Sequence, residues 1–162
     1  MKTLRRAFAV CFALVASSLA TTYKVPEDNT VATINAPAEW KANNYDKGIE
    51  LTSDDGEVYI AIEATDAKGV EHSMDEAMEY LKNKGVTVDA KTVKQNEGKL
   101  SGRDAVMISW DGEDEDGPAR VQLMVVSVTN EKGVLFLYWA SPEGEKKHQK
   151  EISAIAESLK KA

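Results

Sequence analysis

Hydrophobic and polar positions alternate with period two along most of the chain and switch to a helical period in two places. In residues 30–36, Val31, Thr33 and Asn35 alternate with Ala32, Ile34 and Ala36, which predicts a short strand. Pro37 cannot donate to a central ladder, so Pro37-Ala38-Glu39-Trp40 ends it. Residues 48–52 and 57–65 read as two further strands. Ser53-Asp54-Asp55-Gly56 between them carries the Asp-Gly chemistry of a hairpin turn. In residues 73–84 the period changes: Met74, Ala77, Met78 and Leu81 fall at i, i+3, i+4 and i+7 and form one helical stripe. Ser73 and Glu76 have capping-box spacing at its start, while Lys82, Lys84 and Gly85 suit its end.

Four more strands are expected after this helix. Residues 86–93 are rich in β-branched side chains, and Asn96-Glu97-Gly98 is expected to turn them into residues 100–110. Residues 111–117 turn again into residues 119–129. Asn130-Glu131-Lys132-Gly133 then leads to residues 134–140, an unbroken apolar run that predicts a central strand covered on both faces. Ser141-Pro142 provides an N-cap and a proline at the first helical position. Ile152, Ile155 and Leu159 then supply the apolar line of a closing helix over residues 143–161. The expected order is β-ββ-α-ββββ-α: an α+β domain over residues 30–162, with about six to seven mainly antiparallel strands covered by two helices.

The N-terminal segment reads differently. Lys2, Arg5 and Arg6 precede an apolar run over residues 7–16, and Ser18-Leu19-Ala20 places small residues where a signal peptidase cuts. Residues 1–20 are therefore expected to be a cleaved signal peptide, too short in its apolar run to span a bilayer, and residues 21–29 a flexible lead-in. The one cysteine, Cys11, follows Val10 inside the apolar run and lacks lipobox context, so no stable membrane anchor is expected after cleavage. A periplasmic or secreted location follows, with no thiol left in the mature chain.

Charge narrows the partners. The 162 residues carry 20 Lys and Arg against 27 Asp and Glu, and three of the basic residues lie in the leader, which leaves a mature charge near −10. Such an excess argues against nucleic acid and anionic membrane surfaces.

Candidate chemistry is sparse. His72 and His148 stand far apart without HExxH spacing, and no GxSxG elbow or glycine-rich phosphate loop occurs, so no catalytic or cofactor-binding residue is assigned and no cofactor is expected. Asp111, Glu113, Asp114, Glu115 and Asp116 form the densest acidic segment. A calcium loop would need a glycine where Asp116 stands and a glutamate where Gln122 stands, so a solvated hairpin loop is favoured over a metal site. Of the tryptophans, Trp139 falls in the apolar strand. Trp40 and Trp110 sit at strand ends, where such rings cap a core or form a contact surface.

The order of elements, Pro37-Ala38-Glu39-Trp40 after the first strand, the Ser53-Asp54-Asp55-Gly56 hairpin, the amphipathic helix after it and a closing helix ending Glu157-Ser158-Leu159 resemble the PsbP/Mog-type fold. Its bacterial exported members include DcrB-like and uncharacterised envelope domains. The resemblance runs from about residue 30 to the C-terminus. The group joins a photosystem II extrinsic subunit, a Ran-binding import factor and bacterial envelope proteins, which share no chemistry, so it implies a fold and no site residues. The expectation is a small exported, non-enzymatic binding or accessory protein of the bacterial cell envelope. It would act through contacts with an envelope protein or through a shallow ligand site. A cation-responsive module using residues 111–117 is the alternative, and an enzyme with an unrecognised carboxylate mechanism ranks last.

Overall fold

Strand β10 (Lys132–Ala140) lies at the centre of the molecule and faces a core on each side. The structure, a computed structural model, describes residues 19–66 and 70–162. Residues 1–18, which hold most of the expected signal peptide and Cys11, lie outside the described residues. In β10, Val134, Phe136 and Ala140 enter one core while Leu135, Leu137 and Trp139 enter the other. The unbroken apolar run is thus explained by period-two alternation between two buried faces.

Around β10 an antiparallel sheet of eight strands is built. On one side lie β5 (Val58–Asp66), β4 (Gly48–Thr52) and the edge strand β3 (Lys41–Tyr45); on the other lie β9 (Gly117–Ser127) and β8 (Arg103–Asp114). The outer edge of β8 pairs with two strands in succession, β7 (Lys94–Leu100) and the two-residue β6 (Thr87–Val88). Helix α1 (Val70–Asn83) supplies Ala77 and Leu81 to the core containing Trp139. Helix α2 (Pro142–Glu157) and a three-stranded sheet supply Ile155, Val25 and Ile34 to the opposite core. That smaller sheet has the order β1 (Ala20–Val25), β2 (Ala32–Pro37) and β11 (Lys160–Lys161). The molecule is α+β, as the chain's periodicity predicts.

Several boundaries differ from the sequence expectation, each for a local reason. Most of residues 21–29 is not a loose lead-in: residues through Val25 form β1, which pairs along β2, with Val25 fully buried and Tyr23 packed on the core. Thr21, Thr22 and Tyr23 are polar by composition but favour strands by shape. Strand 86–93 does not form as expected. Asp89 caps a single 3-10 turn, Ala90–Thr92, by accepting from the Lys91 N–H, and this breaks the run. The expected turn at Asn96-Glu97-Gly98 lies inside β7. The chain reverses instead at Ser101-Gly102, where both residues hold positive φ (50° and 82°) between the paired Leu100 and Arg103. Such a two-residue turn needs φ > 0 at both centres, which glycine supplies freely and serine tolerates.

Helix α1 begins at Val70, so Ser73 does not cap it. The Ser73 hydroxyl is buried 3.4 Å from Thr65 Oγ1, and Glu76 accepts from Lys47 Nζ at 3.0 Å. The C-terminal stop follows the expectation. Gly85 (φ 76°) donates to Lys82 O and Val86 donates to Leu81 O, the paired bonds of a Schellman motif, with Leu81 and Val86 both buried. Ser141 caps α2 as expected, its Oγ accepting from Gly144 N at 2.9 Å. The helix ends earlier than residue 161. Ser158 caps its C-terminus and Lys160–Lys161 leave as β11 to pair with Thr33 and Ala32.

Candidate functional site

The β8–β9 register dissolves the acidic loop expected at residues 111–117. Asp111, Gly112, Glu113 and Asp114 are strand residues opposite Arg120, Ala119, Pro118 and Gly117, so only Glu115 and Asp116 make the turn. Alternation within a strand sends neighbouring side chains to opposite faces, and the five carboxylates do not converge. Asp111 is taken by Arg120 in an ion pair across the strands. Trp40 and Trp110 are 3% and 6% exposed, so both are core residues rather than an open contact surface. His72 is exposed on α1 beside Glu76, whereas His148 is buried.

His148 is the side chain whose role sequence reasoning missed. From α2 its Nε2 lies 2.9 Å from Asp55 Oδ2 at the β4–β5 hairpin, its Nδ1 meets Glu151 one turn along, and its ring stands edge-on to Trp40 with centroids 5.7 Å apart. Asp55 Oδ1 accepts from Ser53 Oγ at 2.7 Å, while Lys147 Nζ lies 2.5 Å from Oδ2. Burial works against a charged imidazole, but the bonds to Asp55 and Glu151 outweigh it and raise the His148 pKa above its ordinary value. Hydrogen bonds from Lys147 and then His148 hold the Asp55 carboxyl well below the usual range. Asp54, Asp55 and His148 each place one possible metal-ligand atom within 4.8 Å of the others. The Lys147 ammonium already supplies the positive charge on Asp55, and both ring nitrogens have partners. The arrangement therefore works as a clamp between hairpin and helix. Only the His148–Glu151 spacing was visible in the sequence; the arrival of Asp55 depends on the fold.

A second group of side chains borders a cleft that opens to solvent. Tyr59 and Trp139 face each other across the β5–β10 register, with rings stacked at 5.2 Å and 10° between planes. Tyr80 of α1 meets Trp139 edge-on at 6.3 Å. Together they line a cleft of about 210 Å³ that Glu50 and the β8–β9 turn residues Asp114, Glu115 and Asp116 also line. Tyr80 donates to Glu50 Oε1 at 2.5 Å, and Lys84 Nζ lies 2.8 Å from the same oxygen and 5.3 Å from the Tyr80 ring centroid. Burial works against ionising Glu50, yet the bonds from Lys84 and Tyr80 outweigh it and lower its pKa. Burial, then the nearby negative charges of Asp116, Asp114 and Glu115, raise the Tyr59 pKa, so the hydroxyl stays protonated at neutral pH. Trp139 is a core residue by burial. It is 6% exposed, and that small opening contributes to the cleft wall.

Among the described residues no helix is long and apolar enough to cross a membrane. The chain matches no family model and no curated protein. Its fold does match solved structures. It is similar to the cyanobacterial PsbP protein of Synechocystis (TM-score 0.61, 9% identity, 91% of this chain and 95% of that one). It is also similar to LpqN, described as involved in cell envelope biogenesis of Mycobacterium tuberculosis (TM-score 0.53, 13% identity, 86% and 90%). The Ran-binding protein Mog1p of Saccharomyces cerevisiae is a third likeness (TM-score 0.52, 7% identity, 89% and 96%). Identities this low carry the fold and nothing of its chemistry. With two helices on mainly antiparallel sheets and these neighbours, the chain has the PsbP/Mog-like fold.

Proposed function

We propose that this is a small exported, non-enzymatic binding protein of the bacterial cell envelope, working through the cleft between Tyr59, Tyr80 and Trp139. The observation that carries the reading is the cleft itself: the half-buried rings of Tyr59 and Tyr80, held by a strand and a helix over the buried Trp139 and bordered by carboxylates, line an opening to solvent. Rings fixed by a sheet register and a stack lose little freedom on binding, so the site is largely pre-formed. The leader-like pattern of residues 1–20 and the shared fold of LpqN support an envelope setting.

Site-specific photocross-linking in exporting cells tests this. A cross-linker at Glu115, beside the cleft, is expected to give a discrete adduct on a protein recovered outside the cytoplasm with Thr21 at its N-terminus. The same group at Glu97, on exposed β7, is expected to give none. A cytoplasmic product that keeps residues 1–20, or equal labelling from both positions, would overturn the reading.

A further inference from the structure

The lining of the cleft is one-sided in charge. Glu50, Asp114, Glu115 and Asp116 face it against a single basic residue, Lys84. Aromatic faces carry negative potential, and carboxylates beside a partly apolar cavity add to it, so the combination favours a cation that sheds its water easily. A hydrated divalent ion fits poorly, because it requires several oxygen ligands around one point and three of the walls are rings. An alkylated ammonium group fits both demands, with apolar methyl groups for the rings and a diffuse charge for the carboxylates.

The chain already displays this chemistry at one end of the cleft. The Lys84 ammonium lies 5.3 Å from the Tyr80 centroid and 2.8 Å from Glu50 Oε1, pairing one cation with one ring and one carboxylate. Tyr59 stacks one face on the buried Trp139, which leaves its outer face and edge toward the cleft, and among the described residues no ion pair takes up Asp114, Glu115 or Asp116. At about 210 Å³ the cleft is smaller than a drug-sized pocket, which commonly runs from about 300 Å³ upward, and so suits a head group. We propose that the cleft binds a small organic cation, an alkylated ammonium group seated against Tyr59 and Tyr80, over the edge of Trp139, with the β8–β9 turn carboxylates beside it. This inference rests on the cleft being the binding site and adds the class of ligand.

The test compares choline with its uncharged isostere 3,3-dimethyl-1-butanol, titrated into the purified protein and followed by the Trp139 indole and Tyr59 ring signals in NMR spectra. Choline is expected to saturate one site, and the isostere to bind about tenfold more weakly or less. Replacing Asp114→Asn, Glu115→Gln and Asp116→Asn together, all at the end of a hairpin, is expected to weaken choline by about tenfold and to reduce its salt dependence while Tm holds. Tyr59→Leu keeps apolar bulk and is expected to weaken choline as well. A peptide bearing trimethyl-lysine serves as a further arm: binding at least as tight as choline would assign the same chemistry to a protein side chain. Equal binding of choline and the isostere would overturn the cation assignment while leaving the cleft as a binding site. No shift of either ring with either probe, alongside Glu115 cross-linking no better than Glu97, would remove both readings.

Discussion

Nε2 of His148 lies 2.9 Å from Oδ2 of Asp55, a bond between residues 93 positions apart that fastens α2 to the β4–β5 hairpin. Asp54, Asp55 and Glu151, with the Lys147 ammonium on Asp55, are the charged groups beside it. Because the folded-state pKa of His148 is raised above 6.5, the native state binds the proton more tightly than the unfolded chain. Its stabilisation is therefore complete below the unfolded value and disappears as pH rises through the folded one. Tm is expected to fall between about pH 6 and pH 8, and His148→Gln to flatten that slope. Thermal melts across this range check it; a wild-type Tm that rises with pH would contradict it.

The stripe on α1 is buried where periodicity placed it. Leu81 is 1% exposed and shares a core with Trp139, and its carbonyl closes the Schellman motif. Leu81→Ala is expected to cost about 2–5 kcal/mol in denaturant unfolding, from lost transfer energy and the cavity left behind. A loss of a few tenths would mean that the helix does not pack as described.

Gly48 and Gly98 make a contrasting pair. A Cβ on Gly48 would come within 1.9 Å of the Ile62 carbonyl oxygen, backbone that cannot yield without disturbing the β4–β5 ladder. A Cβ on Gly98 would meet nothing within 4 Å. Gly48→Ala is expected to destabilise by about 3 kcal/mol or more. Gly98→Ala in β7 is expected to stay within about 1 kcal/mol of wild type, on the stabilising side. Chemical denaturation of both variants measures the difference.

Asp111 is paired with Arg120, and the other acidic residues of 111–117 are split between strand faces and turn. Millimolar calcium and magnesium are therefore expected to raise Tm by the same small amount through screening. Neutralising Asp111, Glu113, Asp114, Glu115 and Asp116 together is expected to leave the fold intact. A one-to-one calcium isotherm, absent with magnesium, would contradict this.

What the sequence made legible is what local pattern dictates. The β10 run, the Asp-Gly hairpin, the α1 stripe with Gly85 and the Ser141-Pro142 cap all reflect burial or backbone chemistry within a few residues. Elements defined by what they dock against were hidden. β11 is two lysines that become a strand only because β2 presents an edge, and β3 is mostly exposed and polar. The Ser101-Gly102 turn was written in the chain, but Asn96-Glu97-Gly98 carried a competing signal that β8 overrides by pairing through it. The cleft was illegible for the same reason as the His148 clamp: Tyr59, Tyr80 and Trp139 come from three elements, and only their packing makes a wall.

Calorimetric titration of tetramethylammonium chloride into the purified protein, at low and at high ionic strength, tests most directly whether the cleft is a preformed site for an organic cation. A single saturable site is expected, weakening as salt rises and largely lost in Tyr59→Leu. No saturable heat at either ionic strength, or binding unchanged by salt and by Tyr59→Leu, would contradict it.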